Sequence, residues 1–283
     1  MLTKAIVSQT KFMIKQKEAI IVFFVLMIMC LTNYMNNVLA FRDYDVIQMY
    51  HPMKLLLLSY NRIYYNADAT LLFVQLYPLL VVCPAGFVLV KEQHSHQDIL
   101  MITRLGNKIY KVSKLLAAFL TTAIVFAVPF LLEVILNCIA FPLSATGDLS
   151  NLGFYNEQYI DNVHNYFISD LFVKAPYFYS IICTLYFSLI SGILGAFTVA
   201  FSSIVRIKYK ILLFLPVFLL LNATLYMKKI LPGMISTEVN WYNYLLIFND
   251  EDRNIAFFVV SLLFLILFSL GATIYSGKKE CLK

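Results

Sequence analysis

The chain has 283 residues, of which 61% are hydrophobic and 13% charged, and it carries a formal net charge of +6 at pH 7. Soluble domains average about 45–50% apolar and 25% charged residues, so this composition excludes a water-soluble core. The positive charge does not indicate nucleic acid either, because the basic residues gather at the edges of apolar blocks and form no stripe interleaved with aromatics.

At the N-terminus, residues 2–17 place Lys4, Ser8, Lys11 and Lys15 on one helical face and Ile6, Val7, Met13 and Ile14 toward another. That pattern predicts an amphipathic helix lying in the membrane interface, with a basic solvated tail as the plainer alternative. Six apolar blocks follow: Ala19 to Leu39, Thr70 to Val90, Leu115 to Phe141, Tyr177 to Val205, Ile211 to Met227 and Ile255 to Tyr275. Each is close to the length that crosses a hydrocarbon core of about 30 Å, and charges inside them are nearly absent. The expected fold is therefore all-α: a polytopic membrane protein of six transmembrane helices forming one domain. The first block follows a basic stretch as a signal peptide would. That stretch is long and no A-x-A-like cleavage site follows, so the block reads as a retained span.

Alternate connections differ in charge. Fifteen Lys and Arg fall before span one, between spans two and three, between spans four and five, and after span six; seven fall in the other connections. Positive charge is retained on the cytoplasmic side, so both termini are expected there, in a cell membrane. On the outer side, Leu55 to Leu58 is too short to span and reads as an interfacial or re-entrant piece. The loop from Pro142 to Pro176 holds Asp148, Glu157, Asp161 and Asp170 with several aromatics, material for short capping helices or an interfacial belt.

One inner connection is substantial: Lys91 to Lys114, KEQHSHQDILMITRLGNKIYKVSK. Ile99, Leu100, Ile102 and Leu105 have spacings that let a short helix rest on the membrane surface, with Asp98, Arg104 and Lys108 toward the cytosol. Gly106 and Asn107 supply a turn. His94 and His96 diverge by about 200° on a helix and do not form a metal pair.

Glu92 just after span two, the Asp98-Ile-Leu-Met-Ile-Thr-Arg-Leu-Gly106 stretch, and Tyr110 followed by Ser113-Lys114 resemble the type-2 ABC exporter permeases, in particular six-span Gram-positive forms. The order of elements resembles that family over nearly the whole chain, the motif over Glu92 to Lys114 alone. The family often has a glycine soon after the glutamate and a proline before the basic turn; here those places read His94-Ser-His-Gln97 and Arg104-Leu-Gly106. The resemblance implies a coupling helix seated in a groove of a separate ABC ATPase subunit. Asp98, Arg104 and Tyr110 are then contact residues and Glu92 a charge at the hinge; the plainer reading has these charges set topology only. It further implies a second permease copy or paralogue as partner, with ATP and Mg bound by the ATPase and no cofactor on this chain.

Span four carries Ser188, Gly192, Ala196 and Ala200, a small residue every fourth position, suited to close helix packing within the subunit or at a dimer face. Pro78, Pro84, Pro129 and Pro216 interrupt spans two, three and five and invite kinks. Glu133 is the one acid inside a block, a candidate for proton or cation handling, or simply a side chain reaching outer water. The five cysteines are scattered without metal or redox spacing. No phosphate loop, H-E-x-x-H or G-x-S-x-G occurs, so no enzymatic activity is expected of this chain. The expected function is an ATP-driven exporter permease for an amphipathic or hydrophobic substrate such as a peptide, lipid or drug. An ion-coupled secondary transporter using Glu133 is the alternative, and an intramembrane enzyme lacks converging polar residues.

Overall fold

A computed structural model describes residues 2–40, 52–59, 67–95, 97–141, 166–205, 210–230, 240–247 and 253–280. The expected loop features at Asp148, Glu157 and Asp161 lie outside these residues. The described chain is helical: α1 (Leu2–Ile14), α2 (Lys17–Ala40), α3 (Ala67–His94), α4 (Gln97–Leu105), α5 (Asn107–Ala140), α6 (Ser169–Lys174), α7 (Pro176–Ile204), α8 (Phe214–Ile230), α9 (Tyr242–Leu245) and α10 (Ile255–Glu280). Short 3-10 turns occupy Pro52–Leu55 and Lys210–Leu213, and Ser59 and Ile247 form an isolated parallel bridge.

Five helices, α2, α3, α5, α7 and α10, are long and apolar enough to cross a membrane, the architecture of a polytopic all-α membrane protein. The apolar described part of α8, Phe214–Ala223, is shorter than a span. Helices suit this medium because lipid offers backbone N–H and C=O groups no partners, and a helix pairs them within the segment.

Helices α3, α5 and α7 form the centre and α2 and α10 the periphery. Phe73 and Tyr77 of α3, Phe126 and Phe130 of α5, and Phe187 of α7 meet with ring centroids 5.4–6.0 Å apart, mostly edge-to-face or tilted. The Tyr77 hydroxyl ends on Ser191 Oγ at 3.0 Å. This aromatic core is fully buried and fills the middle of the bundle.

One expectation changes in detail. Pro216 does not interrupt a span, since it lies in the first turn of α8, where helix N–H groups have no intrahelical partner and proline is tolerated. Helices α3 and α5 run unbroken through Pro78, Pro84 and Pro129. Helix α1 leans on α5 and α3 as well as carrying its basic face. Its buried line is Ala5, Gln9 and Met13, four residues apart, while Lys4, Lys11 and Lys15 are exposed and Val7 is too. At the far end of the bundle α6 is one short helix of the long loop, and its Phe172 is buried against Tyr166 and Tyr179.

Candidate functional site

The sequence-predicted residues separate into three places. The first is at the basic end of the bundle, where α3 passes into α5 through α4. Helix α3 ends as Ser95 Oγ donates to the Glu92 carbonyl at 3.2 Å. Gly106 closes α4 with φ +77 and its N–H on the Ile102 carbonyl at 2.8 Å, a backbone region that favours glycine. Below this hairpin Glu92, Tyr110 and Lys114 are buried to 6%, 2% and 2% exposure. The Tyr110 hydroxyl donates to Glu92 Oε2 at 2.7 Å, and the Lys114 ammonium donates to Glu92 Oε1. Lys114 also lies 5.8 Å from the Tyr110 ring centroid. Both carboxylate oxygens are thus paired with groups one turn apart on α5, which ties the end of α3 to the start of α5 beneath α4.

Tyr110 therefore does not stand on the outer surface of α4, and Glu92 is not an open hinge charge. Both belong to the clamp under the helix, with Lys114, which sequence spacing alone marks only as a topology charge. Among its described side chains α4 exposes Leu100, Thr103 and Arg104, with Leu100 64% accessible. Asp98 lies in the first turn of α4.

The second place is the small-residue face of α7. Ser188 is buried and bonds its own helix at the Thr184 carbonyl, 2.8 Å. A Cβ on Gly192 would fall 2.9 Å from the Phe119 carbonyl oxygen of α5, and one on Gly195 would overlap Thr122. Ala196 and Ala200 pack with Leu115 and Ala272 of α5 and α10. The face is thus occupied within the chain, and its glycines set how closely α5 and α7 approach.

The third place surrounds Glu133, at the end opposite α4. The side chain is 1% exposed and does not reach solvent. Its Oε1 accepts from Asn33 Nδ2 of α2 at 2.7 Å and from the Leu57 N–H at 2.9 Å. The Cys30 thiol, one turn earlier on α2, is the weak donor against the same carboxylate. Asn33 and Asn37 both donate to the Leu55 carbonyl at 2.9 Å, and Thr70 donates to the Leu57 carbonyl at 3.1 Å. Leu55 to Leu58 are all buried. The stretch expected to be interfacial or re-entrant is thus inserted among α2, α3 and α5, with side chains satisfying its backbone carbonyls. The Ile247 N–H completes it by donating to the Leu58 carbonyl at 2.9 Å. The i, i+4 pairs Asn33/Asn37 and Glu133/Asn137 were the available sequence signal for this cluster, amides and one acid repeating inside apolar blocks.

Near this end a small cavity of about 40 Å³ is lined by Tyr179, Tyr186, Tyr244, Arg253 and Phe258, among others. Burial pulls the Arg253 guanidinium below its ordinary pKa, opposed by the neighbouring tyrosines. Among the described residues no group of three or more His, Cys, Asp or Glu is placed to hold a metal. Comparison with protein-family models, curated proteins and solved structures returns no match.

Proposed function

We propose that the protein is the membrane-spanning subunit of an ATP-driven exporter, with α4 as the handle through which separate ATPase subunits move the bundle. The observation that carries this reading is the clamped hairpin. A helix held on flexible ends would absorb an applied motion, whereas one fixed at its base by Glu92, Tyr110 and Lys114 passes it to α3 and α5. Leu100, Thr103 and Arg104 are the surface offered to the partner, with Asp98 in the same helix. In this reading the basic end faces the cytoplasm, both termini lie there, α8 completes a sixth span, and two permease chains pair.

The filled aromatic core supports pairing. A single bundle has no space for an amphipathic peptide, lipid or drug between Phe73, Tyr77, Phe126, Phe130 and Phe187, so the path runs between two chains or along their lipid-facing edges. The test is co-purification with a candidate ATPase and measurement of stimulated ATP hydrolysis in proteoliposomes. Reversing charge at Asp98 and Arg104, with Leu100→Asp, is expected to abolish association and stimulation. If both survive, the coupling role is wrong.

A second reading, ion-driven transport, draws on the burial of Glu133 among polar groups. Transport that persists after ATP depletion and stops with Glu133→Gln favours it over the first.

A further inference from the structure

We propose that Asn33, Asn37, Glu133 and Asn137 form a binding site for a monovalent metal cation between α2, α5 and the re-entrant segment. The argument is a count of donors and acceptors. Both Asn33 amide hydrogens are spent, one on the Leu55 carbonyl and one on Glu133 Oε1. Asn37 Nδ2 is spent on the Leu55 carbonyl and Asn137 Nδ2 on the Glu133 carbonyl of its own helix at 3.1 Å. All three amide nitrogens face acceptors, so turning any amide over would set oxygen against oxygen, and the orientation is fixed by chemistry. What is left is four oxygens. Asn33 Oδ1, Asn37 Oδ1, Asn137 Oδ1 and Glu133 Oε2 are buried and meet no N–H or O–H donor. The four residues are between 0% and 2% exposed.

These residues lie along one seam between α2 and α5. Helices α2 and α5 both start at the basic end, so each runs the same way through the bundle. Asn33 is bonded to Glu133 at one level, and Asn37 and Asn137 lie one turn further along on the same faces. Asn33 and Asn37 converge on one Leu55 carbonyl, which places the end of the 3-10 turn against these two levels of α2.

Charge and coordination chemistry then choose the ligand. Among the described residues no Lys, Arg or His is within ion-pair distance of Glu133. An unaccompanied carboxylate is expensive in a dry interior. A proton would remove the charge on Glu133, whose carboxylate already faces the weak Cys30 donor, but would leave the three amide oxygens unmatched. A hard cation takes several oxygen ligands at once from carboxylate, amide and carbonyl groups, and unwound backbone beside a membrane helix commonly contributes such carbonyls. A single carboxylate balances a single charge, whereas calcium sites gather more carboxylates, so the cation is an alkali ion. It would cross-link α2 and α5 over the re-entrant segment. The site belongs to the permease chain itself and does not depend on the ATPase reading.

The test is the thermal unfolding midpoint of the purified full chain in detergent, with lithium, sodium or potassium chloride exchanged for N-methylglucamine chloride at constant ionic strength. One alkali cation is expected to raise the midpoint saturably by several degrees. Its half-saturating concentration is expected to rise at least tenfold in Glu133→Gln and in Asn137→Leu. Asn137 is the sharper probe, because its nitrogen bonds only its own helix and its loss removes no link between elements. Equal midpoints in all four salts, or an unchanged titration in Asn137→Leu, overturn the site. A midpoint that follows pH and ignores cation identity overturns it in favour of a protonated Glu133.

Discussion

Removing Lys114 tests the clamp beneath α4 most directly. In Lys114→Met the side chain keeps its length and packing but leaves Glu92 buried at 6% exposure with the Tyr110 hydroxyl as its remaining side-chain partner. Breaking a buried pair by removing one partner costs about 3–5 kcal/mol, most of it the charge left behind. For domains of 150–250 residues each kcal/mol moves the unfolding midpoint by about 2–4 °C, so a fall of about 6–20 °C is expected. The double variant Glu92→Leu with Lys114→Met removes both charges together and is expected to recover most of the loss, since an apolar replacement of a buried pair is often neutral or stabilising. The assay is detergent-solubilised thermal unfolding of the four members of the cycle, which reports the pair's coupling directly. The second readout is partner-stimulated ATP hydrolysis, expected to stay low in the double variant, because stability returns while the tether between α3 and α5 does not. A single variant within about 1 °C of the parent refutes burial of the pair. A double variant with full stimulation refutes the mechanical role of the clamp while leaving the pair intact.

Tyr110→Phe removes one hydrogen bond to a carboxylate and is expected to lower stability by about 1.5–3 kcal/mol, read by the same unfolding assay. Gly106→Ala is expected to cost about 1–3 kcal/mol although open space surrounds the position, because the strain lies in its positive φ and not in contact. Gly192→Val is expected to force α7 away from the Phe119 backbone and cost about 1–3 kcal/mol or prevent assembly, while Ala200→Ser, which adds a single hydroxyl to an existing side chain, is milder; yield of folded protein by gel filtration compares them. Asn37→Ala removes one of two caps on the Leu55 carbonyl, and labelling of a cysteine placed at Leu56 by a polar maleimide is expected to speed up as the segment loosens.

The helical membrane fold was legible because its signal is a sum over twenty residues, and no single side chain in Ala19 to Leu39 or Ile255 to Tyr275 had to be interpreted. The sites were legible only as far as chemistry acts locally. Glu92 and Tyr110 stand out in sequence as a charge and an aromatic at the ends of a loop. Their hydrogen bond depends on Gly106 turning the chain so that residues 18 apart in sequence meet, and no composition rule gives that turn its angle. Glu133 is conspicuous as a lone acid, yet its partners Asn33 and Leu57 come from other elements, and neutral asparagines in apolar blocks do not disturb a hydropathy reading. Val7 and Met13 share the apolar side of α1 in the sequence, yet Val7 is exposed and Met13 buried, because hydrophobicity does not separate a surface that meets lipid from one that meets protein. Pro216 was read as an interruption because a composition scan does not distinguish a helix's first turn from its middle.

Met13 of α1 is held in a nest made by Ala85 and Val88 of α3, Ala117 and Ala118 of α5, and Val199 of α7. Synthesis runs from the N- to the C-terminal side, so α1 emerges before the helices that seat it, and the last wall of that seat lies nearly two hundred residues after Met13. Until α7 is in place, the seat of Met13 lacks its Val199 wall. Full seating of α1 is then a late event in assembly, and it marks a bundle whose central helices are already in place.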